Sequence, residues 1–228
     1  MKQRLDQELV NRGIVPTRSQ AESYIRLSKV VVNTKIITKS GTFVNENDSI
    51  KLLAEEQYVS RAGLKLASVA KLLDLDFKDK TVLDVGSSTG GFTDYALKHS
   101  AKKVIAVDVG TDQLHPSLRG NEKIELHEKT DIRDFQTNEK IDLAVADVSF
   151  ISLREILPSV SKILTNDSQL VAMAKPQFES AHSGQKHKGV IKNDAMRRKI
   201  LQDFETWAKG YFVIIDKQDS EITGSKGN

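Results

Sequence analysis

The chain has 228 residues, 39% of them hydrophobic and 29% charged, with a formal net charge of +3. That length suits one α/β domain with a small module beside it, and no apolar run approaches the ~20 residues of a membrane-spanning helix. Cysteine is absent, which excludes disulfides and thiolate metal sites and fits a reducing cytoplasm.

Met1–Val10 is polar rather than signal-like, so a cytoplasmic location is expected. The five histidines, His99, His115, His127, His182 and His187, have no metal-ligand spacing; they read as solvated side chains, and no metal is expected. Charge is unevenly divided. Residues 1–54 carry nine Lys/Arg against five Asp/Glu, a net of +4. A basic module joined to a near-neutral remainder suggests polyanion binding, against the plainer reading of solvated surface charge.

In chain order, Leu5, Leu9 and Val10 share one face of a first helix, Arg4 to Arg12, stopped by Gly13 and Pro16. Thr17 or Ser19 can cap a second helix running to about Leu27, with Ala21, Tyr24 and Ile25 inward. Short extended pieces follow at 30–32, 36–37 and 50–53, with turns at Asn33-Thr34 and Ser40-Gly41. Residues 1–54 thus predict a compact α+β module, and residues 55–59 a polar linker.

Beyond it the pattern alternates: helix 62–73, strand 81–85, helix 92–99, strand 103–107, helix around 111–118, strands 123–127 and 141–146. Helix 152–164, strand 169–174, helix 194–208 and a last strand 211–215 complete it. Such alternation predicts a parallel, doubly wound Rossmann-like sheet over 60–228, with ligands at the carboxyl ends of its strands.

The stretch Thr81–Asp94, TVLDVGSSTGGFTD, carries the strongest chemical signal. A β-branched strand breaks into Gly86-Ser87-Ser88-Thr89-Gly90-Gly91 and then a helix, which presents backbone N–H groups to a nucleotide-type ligand. Ser88 stands where the second glycine of a dinucleotide fingerprint would fall. Asp84 would repel a phosphate but suits a cationic amino group, and Asp108 ends the next strand, where an acid can accept from ribose hydroxyls. These residues favour S-adenosylmethionine over its main rival NAD. A ligand-free glycine turn is the bland alternative, and the acid at 108 counts against it.

Asp147 and Lys175 end neighbouring predicted strands and can meet over the cofactor, although each alone also reads as a surface ion pair. Glu221 follows the last predicted strand. Residues 175–199 carry seven Lys/Arg against two Asp/Glu. Their Ser/Gly/His/Lys-rich part, with Lys186 and Lys188, suits a mobile cationic flap for a phosphate-backbone substrate, or else a plain surface loop.

The N-terminal stretch RLDQELVNRGIVPTRSQAESYI…VVVN resembles an S4-like RNA-binding domain. SRAGLKL at 60–66, DVGSSTGGFT at 84–93, ADVSFISL at 146–153, KPQFE at 175–179 and SEITGSKGN at 220–228 resemble the TlyA family of ribosomal RNA 2′-O-methyltransferases. That family is sometimes labelled haemolysin, and its catalytic domain is of the FtsJ-like class. The resemblance implies a Lys65, Asp147, Lys175, Glu221 catalytic quartet, Lys65 coming from it alone. It implies methyl transfer from S-adenosyl-L-methionine to cytidine 2′-hydroxyls, with ribosomal RNA or ribosomal subunits as partner. Lys175 is then the general base or the hydroxyl-orienting residue, Asp147 orients it, and Lys65 and Glu221 hold the ribose.

Under the same reading Gly86, Ser88 and Gly90, with Gly91, approach the methionine end, Asp108 the ribose and Asp131 the adenine amino group. Arg4, Arg18, Arg26 and Lys29 in the module contact RNA, joined by Lys186 and Lys188. The chain departs from the pattern at Ser28, Thr34 and Ser40, which replace turn glycines and a proline and are expected to loosen those turns. Family members continue through another strand after the position of Asn228, which implies a sheet without its last edge and a less firmly held Glu221. Two other functions compete: a non-catalytic RNA-binding protein with a vestigial pocket, and a cytolysin. The intact motif residues oppose the first, and the lack of a signal or membrane-insertion segment opposes the second.

Overall fold

A computed structural model describes residues 2–54, 57–184 and 189–222. Glu55 and Glu56 of the expected linker, Lys186 and Lys188, and the SEITGSKGN motif after Ile222 lie outside the described residues.

The N-terminal part comprises β1 (Gln3–Arg4), α1 (Leu5–Asn11), α2 (Arg18–Arg26), β2 (Val30–Val32), β3 (Lys35–Ile36), β4 (Phe43–Val44) and β5 (Ile50–Leu52). Thr17 caps α2, its side chain accepting from the Gln20 amide, and so satisfies an N–H that the helix leaves open. Strands β3, β2 and β5 form one antiparallel sheet, and β1 pairs with β4. The β1–β4 pair was not legible in the sequence, because two-residue strands carry no periodicity. Ser28 does take the left-handed conformation a glycine would favour, at φ +59°, and Asn33 rather than Thr34 does so in the next turn.

The larger part comprises α3 (Arg61–Ala70), β6 (Thr81–Val85), α4 (Gly91–Lys98), β7 (Lys103–Val107), β8 (Ile124–His127), β9 (Leu143–Ala146), α5 (Leu153–Ile163), β10 (Gln169–Ala172), α6 (Pro176–Glu179) and α7 (Asp194–Ala208). The five strands are all parallel in the order β10-β9-β6-β7-β8. The chain steps outward from β6 through β7 to β8, then crosses back to β9 on the other flank of β6. Ligands bind at the carboxyl ends of the strands where the direction reverses, here between β6 and β9.

Side chains of β6 alternate between two cores. Val82 joins a cluster with Leu64, Leu66, Phe92 and Ala96, while Leu83 and Val85 join Leu153, Ile156, Leu157 and Val160 on the other face. The first cluster continues without a break into Leu5, Leu9, Tyr24 and Ile25 of the N-terminal part. A buried hydrogen bond from Gln20 Nε2 to the Tyr58 carbonyl, 2.7 Å, also crosses that junction.

Two expected elements differ. The helix around 111–118 is only a 3₁₀ turn, Pro116–Leu118, because Asp112 is left-handed and Arg119 takes the Asp112 and Leu114 carbonyls that a helix would use. The strand at 211–215 does not form. Phe212 packs against the second core while Val213 and Ile215 stand 89% and 86% exposed, so strand-like alternation persists without a ladder partner.

Candidate active site

The loop after β6 is built from left-handed backbone: Gly86 at φ +78°, Ser88 at +46° and Gly90 at +83°. A side chain at Gly90 would meet Leu114 and Leu118 Cδ1 at 2.6 Å, and one at Gly91 would meet Ser60 and the start of α3. These two glycines therefore let α4 approach its neighbours closely. Gly90, the N-cap of α4, has no side chain to cap the helix, and of the first-turn amides the Thr93 N–H is taken by the Asp84 carboxylate.

Asp84 points to the α4 side of the sheet and is 1% exposed, with Thr93 Oγ1 donating to its Oδ2 at 2.7 Å. Burial pushes its carboxyl up to about 7; the Thr93 hydrogen bonds oppose this, while the charges of Asp147 and Asp108 add to it. Asp108, at the end of β7, accepts from the Ser88 amide at 2.8 Å and the Gly110 amide at 2.7 Å, so it also fixes the loop. Ser88 Oγ in turn donates to Gln113 Oε1 at 3.0 Å. Among the described residues, the buried hydroxyls of Ser60 and Ser87 have no hydrogen-bond partner. Two orphan hydroxyls, a glycine N-cap and a buried carboxyl thus line the same loop and could hold a polar ligand.

Asp147 follows β9 and lies between two ammonium groups: Lys65 Nζ is 2.7 Å from Oδ2 and Lys175 Nζ is 2.6 Å from Oδ1. The Lys175 approach is an ion pair without hydrogen-bond alignment, and among the described residues Oδ1 has no hydrogen-bond donor. Lys65 comes from α3, and Lys175 from the segment after β10. Burial alone would raise the Asp147 carboxyl, but the two lysines outweigh it and hold it below the usual carboxylate range. Burial lowers the Lys175 ammonium, against the attraction of Asp147, and Lys65 adds to the lowering. Lys175 Nζ also donates to the Val148 carbonyl at 2.7 Å and to Ser149 Oγ at 3.0 Å. The result is a lysine held in a fixed position, whose ammonium gives up its proton more readily than an ordinary lysine.

A second connection joins the same two strand ends. Glu179, 1% exposed at the end of α6, accepts from Ser152 Oγ at 2.5 Å and from the Leu153 amide at 2.7 Å. It thereby caps α5 and ties the segment carrying Lys175 to the segment after Asp147. Phe150 is 94% exposed at φ +68°, a rare conformation for a bulky residue, with the Phe178 ring 5.8 Å away. None of Ser60, Ser87, Ser149, Phe150 or Glu179 follows from sequence spacing. All five lie inside the quoted motifs, Ser149 and Phe150 two and three positions after Asp147.

Glu221 is exposed and, among the described residues, makes no ion pair with Lys65 or Lys175; the adjacent Ile222 is buried in the first core. Asp131 accepts from Arg133 Nε and Nη2 at 3.0 and 2.6 Å, and these bonds hold its carboxyl below the usual range. In the N-terminal part, Arg4 and Arg18 converge on the buried Asp6, while Arg26 and Lys29 are exposed at and beyond the end of α2. Among the described residues there is no cluster of three or more His, Cys, Asp or Glu able to hold a metal ion. No helix there is long and apolar enough to cross a membrane.

Residues 58–228 match the FtsJ-like methyltransferase family, and residues 3–50 match the S4 domain. The 23S rRNA (cytidine-2′-O)-methyltransferase TlyA of Campylobacter jejuni is 44% identical over 184 residues, 79% of this chain and 72% of that protein. The 16S/23S rRNA (cytidine-2′-O)-methyltransferase TlyA of Mycobacterium tuberculosis is 34% identical over 231 residues, 99% of this chain and 86% of that protein. A solved structure of a provisionally named haemolysin from Streptococcus thermophilus is 36% identical with a TM-score of 0.71, covering 100% of this chain and 85% of that one.

Proposed function

Because the chain belongs to the FtsJ-like methyltransferase family, we propose that it is an S-adenosylmethionine-dependent 2′-O-methyltransferase acting on cytidine in ribosomal RNA. The observation that carries this reading is the half-buried Lys65–Asp147–Lys175 array beside the β6 loop. S-adenosylmethionine, when bound, supplies an electrophilic sulfonium methyl group. Asp84 would hold its amino group, Gly86, Ser88, Gly90 and Gly91 with the Ser60 and Ser87 hydroxyls its methionine end, Asp108 its ribose, and the remaining lone pairs of Asp131 its adenine amino group.

The protein's own work is to position the ribose and to move one proton. Lys175 Nζ, once it has given up its own proton, takes the proton of the 2′-hydroxyl as that oxygen gains the methyl group. Asp147 and the Val148 carbonyl aim the amine, and Asp147 steadies the ammonium that forms. Lys65 keeps Asp147 ionised and disfavours a second ammonium. Glu221 would join the ribose side of the quartet. The N-terminal module, with Arg4, Arg18, Arg26 and Lys29, and with Lys186 and Lys188 of the basic segment, would dock the RNA backbone in the cytoplasm.

The test is to map 2′-O-methylated cytidines on ribosomal RNA from cells with and without this protein. A cytidine methylated only in its presence, and lost with Lys175→Ala, is the expected result. Identical maps overturn the reading.

A further inference from the structure

We propose that Asp6 is the positioning residue of a phosphate-docking surface, presenting Arg4 and Arg18 as one fixed pair of guanidinium groups to an RNA backbone. The proposal deepens the RNA-methyltransferase reading above and rests on it. Asp6 is the second residue of α1 and is fully buried, at 0% exposure. Its carboxylate accepts from Arg4 Nε at 3.0 Å and Nη2 at 2.8 Å, from the Gln7 amide at 3.0 Å, and from Arg18 Nε at 2.9 Å. A buried anion with this many donors is fully satisfied, and the two arginines outweigh burial to keep it ionised.

Three segments meet here: the start of α1, the start of α2 and the 40–42 loop. The loop is pinned by the Leu5 amide donating to the Thr42 carbonyl at 2.8 Å and the Asp6 amide donating to the Ser40 carbonyl at 3.3 Å. Gly41 packs beneath the Arg4 guanidinium, where even a methyl group would sit 3.6 Å from Nη1.

The nitrogens left over are informative. Arg4 and Arg18 spend their Nε edges on Asp6, yet their side chains remain 38% and 50% exposed. Among the described residues, Arg4 Nη1 and both terminal nitrogens of Arg18 have no hydrogen-bond partner; Glu22 comes no nearer than 3.7 Å to Arg18, at its Nε. An arginine anchored through one edge and open at the other is already ordered for bidentate phosphate binding, so little side-chain entropy remains to be lost. Lys65 and Lys175 offer no such surface, because both are turned inward on Asp147.

The proposal makes a prediction opposite in sign to simple charge attraction. Asp6→Asn adds one positive charge, so attraction alone would tighten RNA binding. Presentation predicts binding roughly tenfold weaker, since two long side chains must then be ordered at docking. The measurement is filter binding of the full-length protein to in-vitro-transcribed 23S ribosomal RNA across a salt series, with thermal unfolding and S-adenosylmethionine titration of each variant. Arg18→Lys should also bind several-fold more weakly while its salt slope and unfolding temperature stay unchanged, because the charge remains but the fork is lost.

Equal or tighter binding by folded Asp6→Asn overturns the proposal. If Asp6→Asn does not fold, Arg18→Lys decides, and binding like the unsubstituted protein overturns it. Failure of the unsubstituted protein to bind 23S RNA removes the docking reading itself, a result distinct from either.

Discussion

Asp147 and Asp6 are built alike and differ in the cation chosen. Each is a buried carboxylate gripped by two basic side chains from separate segments: Lys65 and Lys175 in the sheet domain, Arg4 and Arg18 in the N-terminal module. Burial lowers the Lys175 ammonium, whereas Asp6 raises Arg4 further above its already high value. A lysine in such a pair can therefore give up its proton, and an arginine cannot. On the readings proposed above, the same carboxylate–cation geometry would serve a proton acceptor in one place and a permanent charge presenter in the other.

The largest effect expected from breaking this contrast is at Lys175. Lys175→Ala should lose at least about 100-fold in turnover, the usual worth of a positioned acid or base, with S-adenosylmethionine affinity retained. Lys175→Arg should be equally inactive, because it restores charge and not proton exchange. Single-turnover methylation with calorimetric cofactor titration reads both, and an active Lys175→Arg would show that the amine only orients the hydroxyl. Since burial lowers Lys175, the acid limb of the unsubstituted enzyme's rate should lie below the ordinary lysine range and rise with pH.

Next in size is the brace that keeps the two strand ends together. Glu179→Ala strips the Leu153 amide and Ser152 hydroxyl of their buried acceptor, which should cost about 2 kcal/mol of stability. Turnover should fall more than substrate affinity, because Lys175 loses its register against Asp147 while the N-terminal module is untouched. Denaturant unfolding and the kcat-against-KM split measure the two parts; an unchanged kcat would confine Glu179 to stability.

Asp84 supplies a third, through linkage. Its carboxyl ionises near 7 in the folded protein against 3.8 ordinarily, so the folded state holds a proton that the unfolded chain has released. Stability from this group is present at low pH and declines as pH rises through that window. A ligand ammonium at Asp84 reverses the preference. Affinity for S-adenosylmethionine should therefore increase about tenfold between about pH 6 and about pH 8, and Asp84→Asn should flatten the profile. Titration calorimetry at several pH values decides it, and a flat profile for the unsubstituted protein would place the amino group elsewhere.

The parts of the molecule legible in sequence are those encoded by local pattern. The buried runs at 81–85, 103–107 and 143–146, and the glycine turn after the first, follow from β-branched strings and residue spacing. Their alternation with helices implies the parallel order. Asp147 and Lys175 were accessible as strand-end residues, but Lys65 sits on a helix and came only through motif resemblance. Spacing carries no information about what packs across the sheet, so neither the Glu179 cap on α5 nor the orphan Ser60 hydroxyl was foreseeable. The strand at 211–215 failed for a related reason: its alternation is real, but a strand also requires a paired neighbour. Asp6 was hidden in the same way. One acid among five in a basic module reads as a surface charge until the fold places two arginines on it.

The smallest expected effect tests how the module carries its irregular turns. Ser28 adopts φ +59° between α2 and β2, immediately before Lys29, with its amide donating to the Ile25 carbonyl at 3.1 Å. A side chain in the left-handed region costs about 1–2 kcal/mol, and glycine avoids that strain while giving back part of it as unfolded-state entropy. Ser28→Gly should therefore stabilise the protein by about 0.5 kcal/mol, read as a small rise in the unfolding midpoint. Asp6 and its arginines lie outside this turn, so RNA affinity and salt slope should not change. A gain in affinity from Ser28→Gly would mean that strain at this turn, and not the Asp6 brace alone, limits how the module meets RNA.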